Sequence, residues 1–136
     1  MRRWRSASRA LVPGRLESES LPSAGSGRYR ASFEFARPAT GIDLMAGPWV
    51  IREKIMPRAT EEPVRLRTYF PRDLDAVAGL ADGYLDDTRR YLELYAQEIG
   101  SYPFTEFSVV ASPLPTGFGM ATLTYIGAEV LKLPFI

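Results

Sequence analysis

From Leu74 to Ile99, the residues Leu74, Val77, Ala81, Tyr84, Thr88, Tyr91, Tyr95 and Ile99 recur at intervals of three or four. That spacing lines them along one face of an α-helix. Asp73 stands at the N-cap position, and Asp75 lies in the first turn, where a carboxylate suits the helix dipole. Gly100 falls at C′, and Pro103 prevents the helix from resuming. The pattern predicts a helix over Asp73 to Ile99, about 40 Å long. Gly79 and Gly83 weaken its first half, each by up to ~1 kcal/mol relative to alanine.

The segments on either side carry a different period. Tyr29, Ala31, Phe33 and Phe35 alternate with Arg30, Ser32 and Glu34, a half-buried strand ended by Pro38. Trp49 to Met56 reads as a second strand after the turn Ala46-Gly47-Pro48. Val64, Leu66, Thr68 and Phe70 alternate with Arg65, Arg67 and Tyr69 and predict a third. Three antiparallel strands with one wet face are expected. Beyond the helix come a strand at Phe107–Ala111, a Pro/Gly loop at Ser112–Gly119, and a strand at Met120–Ile126. A further element starts at Ala128. Its apolar residues, with Ile126, would lack partners, and the two strands would show unpaired edges, so self-association through the C-terminal segment is expected. The expected class is α+β: a short antiparallel β segment, then a long helix and edge strands. Residues 1–27 are expected to be irregular, 28–72 to form the β segment, and 73–136 to form a helix-led unit.

Composition removes much chemistry. The 136 residues include no cysteine and no histidine. That excludes thiolate nucleophiles, Ser-His-Asp catalysis and His- or Cys-ligated zinc. The net charge of +1 gives no bias toward nucleic acid. No apolar run is long enough to span a membrane. The Arg-rich first nine residues begin like a signal-peptide n-region, but Pro13, Gly14, Arg15 and Glu17 stand where an apolar h-region would follow. The compartment is not legible.

Three groups of residues invite chemical readings. Tyr84, Tyr91 and Tyr95 form a helix stripe that suits a core boundary, where the hydroxyls stay wet. Asp82, Asp86 and Asp87 read as a solvated helix face, with Asp86 paired to Arg90. Gly117-Phe118-Gly119 lacks the Lys-Ser/Thr of a phosphate loop and leads into a strand, so its glycines point to a close backbone approach beside an edge strand. Extended peptides bind such edges.

The run from Tyr91 through Gly100-Ser101-Tyr102-Pro103-Phe104, Phe107–Val110 and Pro115-Thr116-Gly117-Phe118-Gly119-Met120 resembles the start of the catalytic domain of the zinc aminopeptidase family that includes alanyl aminopeptidase and leukotriene hydrolase, and the resemblance extends over 84–136. The resemblance implies a thermolysin-like domain over 73–136, with 28–72 the tail of an N-terminal β domain. It further implies that backbone groups of Gly119, Met120, Ala121 and Thr122 hold a peptide substrate. Ala121 and Thr122 stand where that family carries Glu and Asn, so its amine-binding carboxylate is not carried over. The family's His-Glu-x-x-His helix would come after Ile136. The chain is therefore expected to be a fragment that supplies scaffold and substrate edge strand, with no catalytic or metal-ligating residue of its own. Zinc would belong to a full-length parent. The alternatives are a free-standing β+α peptide-interaction module or an inactive paralogue.

Overall fold

A computed structural model describes residues 8–21 and 28–133. Its elements run β1 (Arg9–Leu11), β2 (Arg15–Ser20), β3 (Arg30–Glu34), β4 (Met45–Gly47), β5 (Trp49–Met56), β6 (Val64–Pro71), α1 (Arg72–Asp75), α2 (Leu80–Glu98), β7 (Glu106–Ser112), β8 (Gly117–Met120), β9 (Leu123–Gly127) and α3 (Ala128–Leu131). The fold is α+β.

Alternation along β6 organises the molecule. Val64, Leu66 and Phe70 point to one face of a five-stranded sheet ordered β5-β6-β7-β9-β8. There they meet Leu74 of α1, Ala81 and Leu85 of α2, and Leu131 of α3. Tyr69 points to the opposite face, where it meets Trp49, Val110 and Leu123 together with Leu11 of β1 and Met45 of β4. Two small sheets, β1-β4 and β2-β3, belong to the polar and apolar contacts of this second face. The main sheet thus has helices on one side and short strands on the other.

Several expectations are corrected here. The third predicted strand has no wet face, because Arg67 and Tyr69 are both buried under the small sheets. The first predicted strand pairs with β2 rather than with β5. Residues 9–11 and 15–20 are strands, although the 1–27 segment reads as irregular. Residues 1–7 and 22–27 of that segment lie outside the described residues. A boundary at residue 72 cuts through one packed unit, since β6 pairs in parallel with β7 from Arg65↔Glu106 to Tyr69↔Val110. Parallel neighbours need a long crossover, and α2 supplies it. The strands expected to show bare edges are internal: β7 lies between β6 and β9, and β9 between β7 and β8.

The helix is broken at its weak point. Residues 76–79 form turns, and Gly79 adopts φ 74°, a left-handed conformation open to glycine at little cost. Pro71, not Asp73, occupies the N-cap position of α1. The buried residues of α2 are Ala81 and Leu85, with Leu92 packed beside Leu66 and Phe107 further on. Of the predicted stripe, Tyr84 packs edge-on to Phe70 and donates its hydroxyl to Leu131 O at 3.0 Å. Tyr91 and Tyr95 stack on each other in solvent, 46% and 52% exposed. Asp86 pairs with Lys54 of β5 at 2.8 Å, and Arg90 turns to Asp87 instead.

Helix termination follows the sequence. Gly100 has φ 139°, and the chain turns through Tyr102-Pro103-Phe104 into β7. The Tyr102 ring meets Phe104 and Phe107 edge-on. Arg58 donates to Tyr102 O at 2.8 Å and tethers the turn. Burial pushes the Tyr102 phenol well above its ordinary pKa, and its hydroxyl donates to Glu106 O at 2.8 Å.

Candidate functional site

The main sheet has two edges, and they differ. The β5 edge carries Arg52, Glu53 and Lys54 in mid-strand, the charges that discourage another strand from pairing. Arg52 and Lys54 are also committed to Asp75 and Asp86. The β8 edge reads Gly117-Phe118-Gly119-Met120 and carries no charge. It pairs with β9 on one side, with register from Gly117↔Ile126 to Met120↔Leu123, and with no strand of the described residues on the other.

The side chains of β8 leave its backbone accessible. Gly117 and Gly119 face the helix side, and a Cβ at either would stand in open space. Beside them lies a groove of about 540 Å³ lined by Pro115, Thr116, Phe118, Thr124, Ile126 and Val130. Phe118 points to the other face and is 57% exposed. Met120 packs against the Trp49–Tyr69 cluster and anchors the end of the strand. The hairpin is held at its base by Gly127 N–H donating to Thr116 O at 2.8 Å. A side chain at Gly127 would collide with Leu114 O at 2.9 Å, so glycine is required for that close approach.

Of the four residues singled out in the sequence, Gly119 and Met120 lie on this edge strand. Ala121 sits exposed in the two-residue turn to β9. Thr122 is different. It is buried, its carbonyl accepts from Ser108 N–H at 3.0 Å, and its Oγ1 accepts from Gly14 N–H at 2.8 Å. Both its carbonyl and its hydroxyl are thus engaged within the fold. Nor do Met120 to Ile126 form one strand, because the turn at 121–122 folds them into a hairpin.

Sequence reasoning missed the polar cluster beneath the β2-β3 hairpin. Arg67 donates to both carboxylate oxygens of Glu19 at 2.9 and 3.1 Å, to Glu53 at 2.8 Å and to the Tyr69 hydroxyl at 3.2 Å. The Tyr29 hydroxyl donates to Glu19 at 2.7 Å. Burial alone would raise the Glu19 pKa, but the Arg67 and Tyr29 hydrogen bonds outweigh it and hold the carboxyl below its ordinary range. Glu106 lies nearby, accepting from Leu16 N–H at 3.2 Å. Burial raises its pKa against the opposing pull of Arg65. The only signal in the sequence was Arg67 in an alternating strand, where charge ordinarily implies water.

No protein-family model matches the chain, and no curated protein sequence matches it. Solved structures do. A two-domain M1 zinc metallopeptidase mutant bound to L-tryptophan superposes with a TM-score of 0.67 over 90% of this chain, at 21% identity. An M1 zinc metallopeptidase from Deinococcus radiodurans gives 0.66 over 90%, also at 21% identity. A mutant of the Deinococcus radiodurans enzyme bound to a Tyr-Ser-Ala substrate gives 0.64 over 91%, at 19% identity. This chain has the fold of part of an M1 zinc metallopeptidase. It spans 28% of the length of each of these neighbours.

The donor set does not suit zinc. The sequence has no His and no Cys, and among the described residues no three carboxylates gather as a metal would require. No helix of the described residues is long and apolar enough to cross a membrane.

Proposed function

We propose that this chain is the peptide-holding scaffold of a zinc-metallopeptidase-type protein, and that it neither holds the metal nor cleaves peptides by itself. The observation that carries this reading is the uncharged edge of β8, unpaired among the described residues, in a fold shared with M1 zinc metallopeptidases. An extended peptide would add to that edge as a further strand, through backbone hydrogen bonds to Gly117–Met120, with the adjacent groove taking a side chain. The glycines keep the approach open. Ala121, at the exposed turn, would border the peptide's end.

Hydrolysis needs a barrier lowered by ~8 kcal/mol or more. Without zinc ligands or an activated nucleophile, this chain has no group to supply that. On α2, Asp82, Asp86, Asp87 and Glu93 are engaged with Arg52, Lys54, Arg90 and Arg89 on exposed faces, where water competes for them.

The test is fluorescence anisotropy with a labelled Tyr-Ser-Ala peptide, alongside zinc content after dialysis and turnover of aminoacyl anilides. Saturable binding is expected, lost when the peptide's backbone amides are N-methylated. Zinc should remain well below one equivalent and turnover at the level of buffer. Equal binding of the N-methylated peptide would refute strand addition. Stoichiometric zinc with chelator-sensitive turnover would refute the scaffold reading.

A further inference from the structure

The geometry points to Thr122 and Gly14 as a latch by which the N-terminal strands set the position of the β8 edge, and this inference rests on the peptide-holding role proposed for β8. The two residues are 108 positions apart in sequence, yet Gly14 N–H donates to Thr122 Oγ1 at 2.8 Å in a buried setting. Gly14 forms the bend between β1 and β2. Its φ of 140° lies in the region that favours glycine, and a Cβ there would meet Glu34 O at 2.7 Å. The bend is thus pressed between the end of β3 and the β8-β9 turn. Next to it, Leu16 N–H donates to the Glu106 carboxylate on β7 at 3.2 Å. On the other side of the turn, Thr122 O accepts from Ser108 N–H of β7 at 3.0 Å.

Thr122 is therefore fixed from two directions, by the central strand through its backbone and by the N-terminal bend through its side chain. β8 itself has a single strand neighbour among the described residues and is four residues long. A short edge strand of this kind frays readily. Its register against β9, and so the direction in which its free backbone groups point, depends on the turn at 121–122. In this account Thr122 is a positioning residue for the peptide edge and does not touch the peptide.

The experiment is amide hydrogen exchange on the whole chain and on three variants. Thr122→Val keeps the shape and removes the acceptor. Thr122→Ser restores it. Gly14→Ala drives the bend off Thr122 while leaving the threonine intact. In Thr122→Val, the amides paired between β8 and β9 should exchange about tenfold faster, as for loss of a buried hydrogen-bond partner. Those paired between β5 and β6 should stay near wild type. Gly14→Ala should show the same selective loss, and Thr122→Ser should return to within about twofold of wild type. Affinity for the labelled Tyr-Ser-Ala peptide should fall in step with exchange at β8. Equal acceleration at both edges, or no recovery with serine, would overturn the latch. If the variants show the selective exchange pattern but the wild-type chain binds no peptide, the latch stands and the role proposed for the edge is refuted.

Discussion

Arg67→Leu lowers the melting temperature by roughly 10–20 °C, corresponding to about 3–5 kcal/mol for removing one partner of a buried ion network. Arg67 is only 8% exposed. Its removal leaves Glu19 with the Tyr29 hydroxyl as its remaining strong partner and strips Glu53 of its shortest contact. Glu53 stays in contact with water, whereas the Glu19 side chain, only 18% exposed, is held between the β2-β3 hairpin and the main sheet. The loss should be pH-dependent with a definite sign. The Glu19 pKa is depressed in the folded chain, so its ion pair stabilises above the ordinary carboxylate pKa and that stabilisation fades as pH falls through the depressed value. The gap between wild type and Arg67→Leu therefore narrows on acidification below about pH 4.3. Glu106 acts with the opposite sign. Its pKa is raised, so its burial costs stability above that value and the cost is relieved as pH falls. A double variant, Arg67→Leu with Glu19→Leu, should recover part of the loss, because no buried charge is then orphaned on the hairpin. Thermal melts of wild type and the two variants between neutral pH and pH 3 check this. A melting temperature for Arg67→Leu within a few degrees of wild type would show that the hairpin is not held by this network.

Phe70→Ala should be comparably damaging for a different reason. Phe70 is fully buried on the helix face of β6, among Leu74, Ala81, Val109, Ala111 and Leu131. Its ring lies edge-on to Tyr84 with centroids 5.8 Å apart. Truncation removes a large, fully buried side chain from a cluster that draws on all three helices, and a cavity of this kind costs about 3–5 kcal/mol. The midpoint of urea unfolding should fall accordingly, with the amides of α2 losing protection along with those of β6. Phe118→Ala provides the contrast. Phe118 is largely exposed on the edge strand, so its truncation should change stability by no more than about 0.5 kcal/mol. A small effect at Phe70 would mean that the helices are held on the sheet by contacts other than this cluster.

Side-chain periodicity made most of this fold legible. The alternation along Val64–Phe70 identified β6 and its helix-facing side, and the interval of three or four through Tyr84 to Tyr95 identified the helix. Gly100 and the Tyr102-Pro103-Phe104 turn ended that helix where expected. What periodicity could not show was what lies on the far side of a strand. Arg65, Arg67 and Tyr69 read as a wet face because a charged residue in alternation ordinarily meets water, whereas here Glu19, 48 residues away, meets Arg67 first. Strand partners were equally out of reach, since the parallel pairing of β6 with β7 is a long-range fact. Past Leu85 no residue of α2 is fully buried, so Tyr91, Tyr95 and Ile99 keep helical spacing while staying exposed. At the C-terminal end, Leu131 is buried against the Phe70 cluster while Val130 and Leu133 stay exposed. Phe135 and Ile136 lie outside the described residues.

Around the candidate site, the glycine pattern of Gly117 to Gly119 pointed to an approachable backbone, and the structure places those residues on an uncharged sheet edge. Thr122 looked like its neighbours in sequence. Only its burial and its contact with Gly14 separate it from them.

The central claim is that an extended peptide pairs with β8. Titration of the isotopically labelled chain with the Tyr-Ser-Ala peptide, followed by amide chemical shifts, tests it residue by residue. The account predicts saturable shifts confined to Gly117–Ala121 and the facing residues of β9. Shifts on the β5 edge, on the Tyr91–Tyr102 surface of α2, or nowhere at saturating peptide would contradict it.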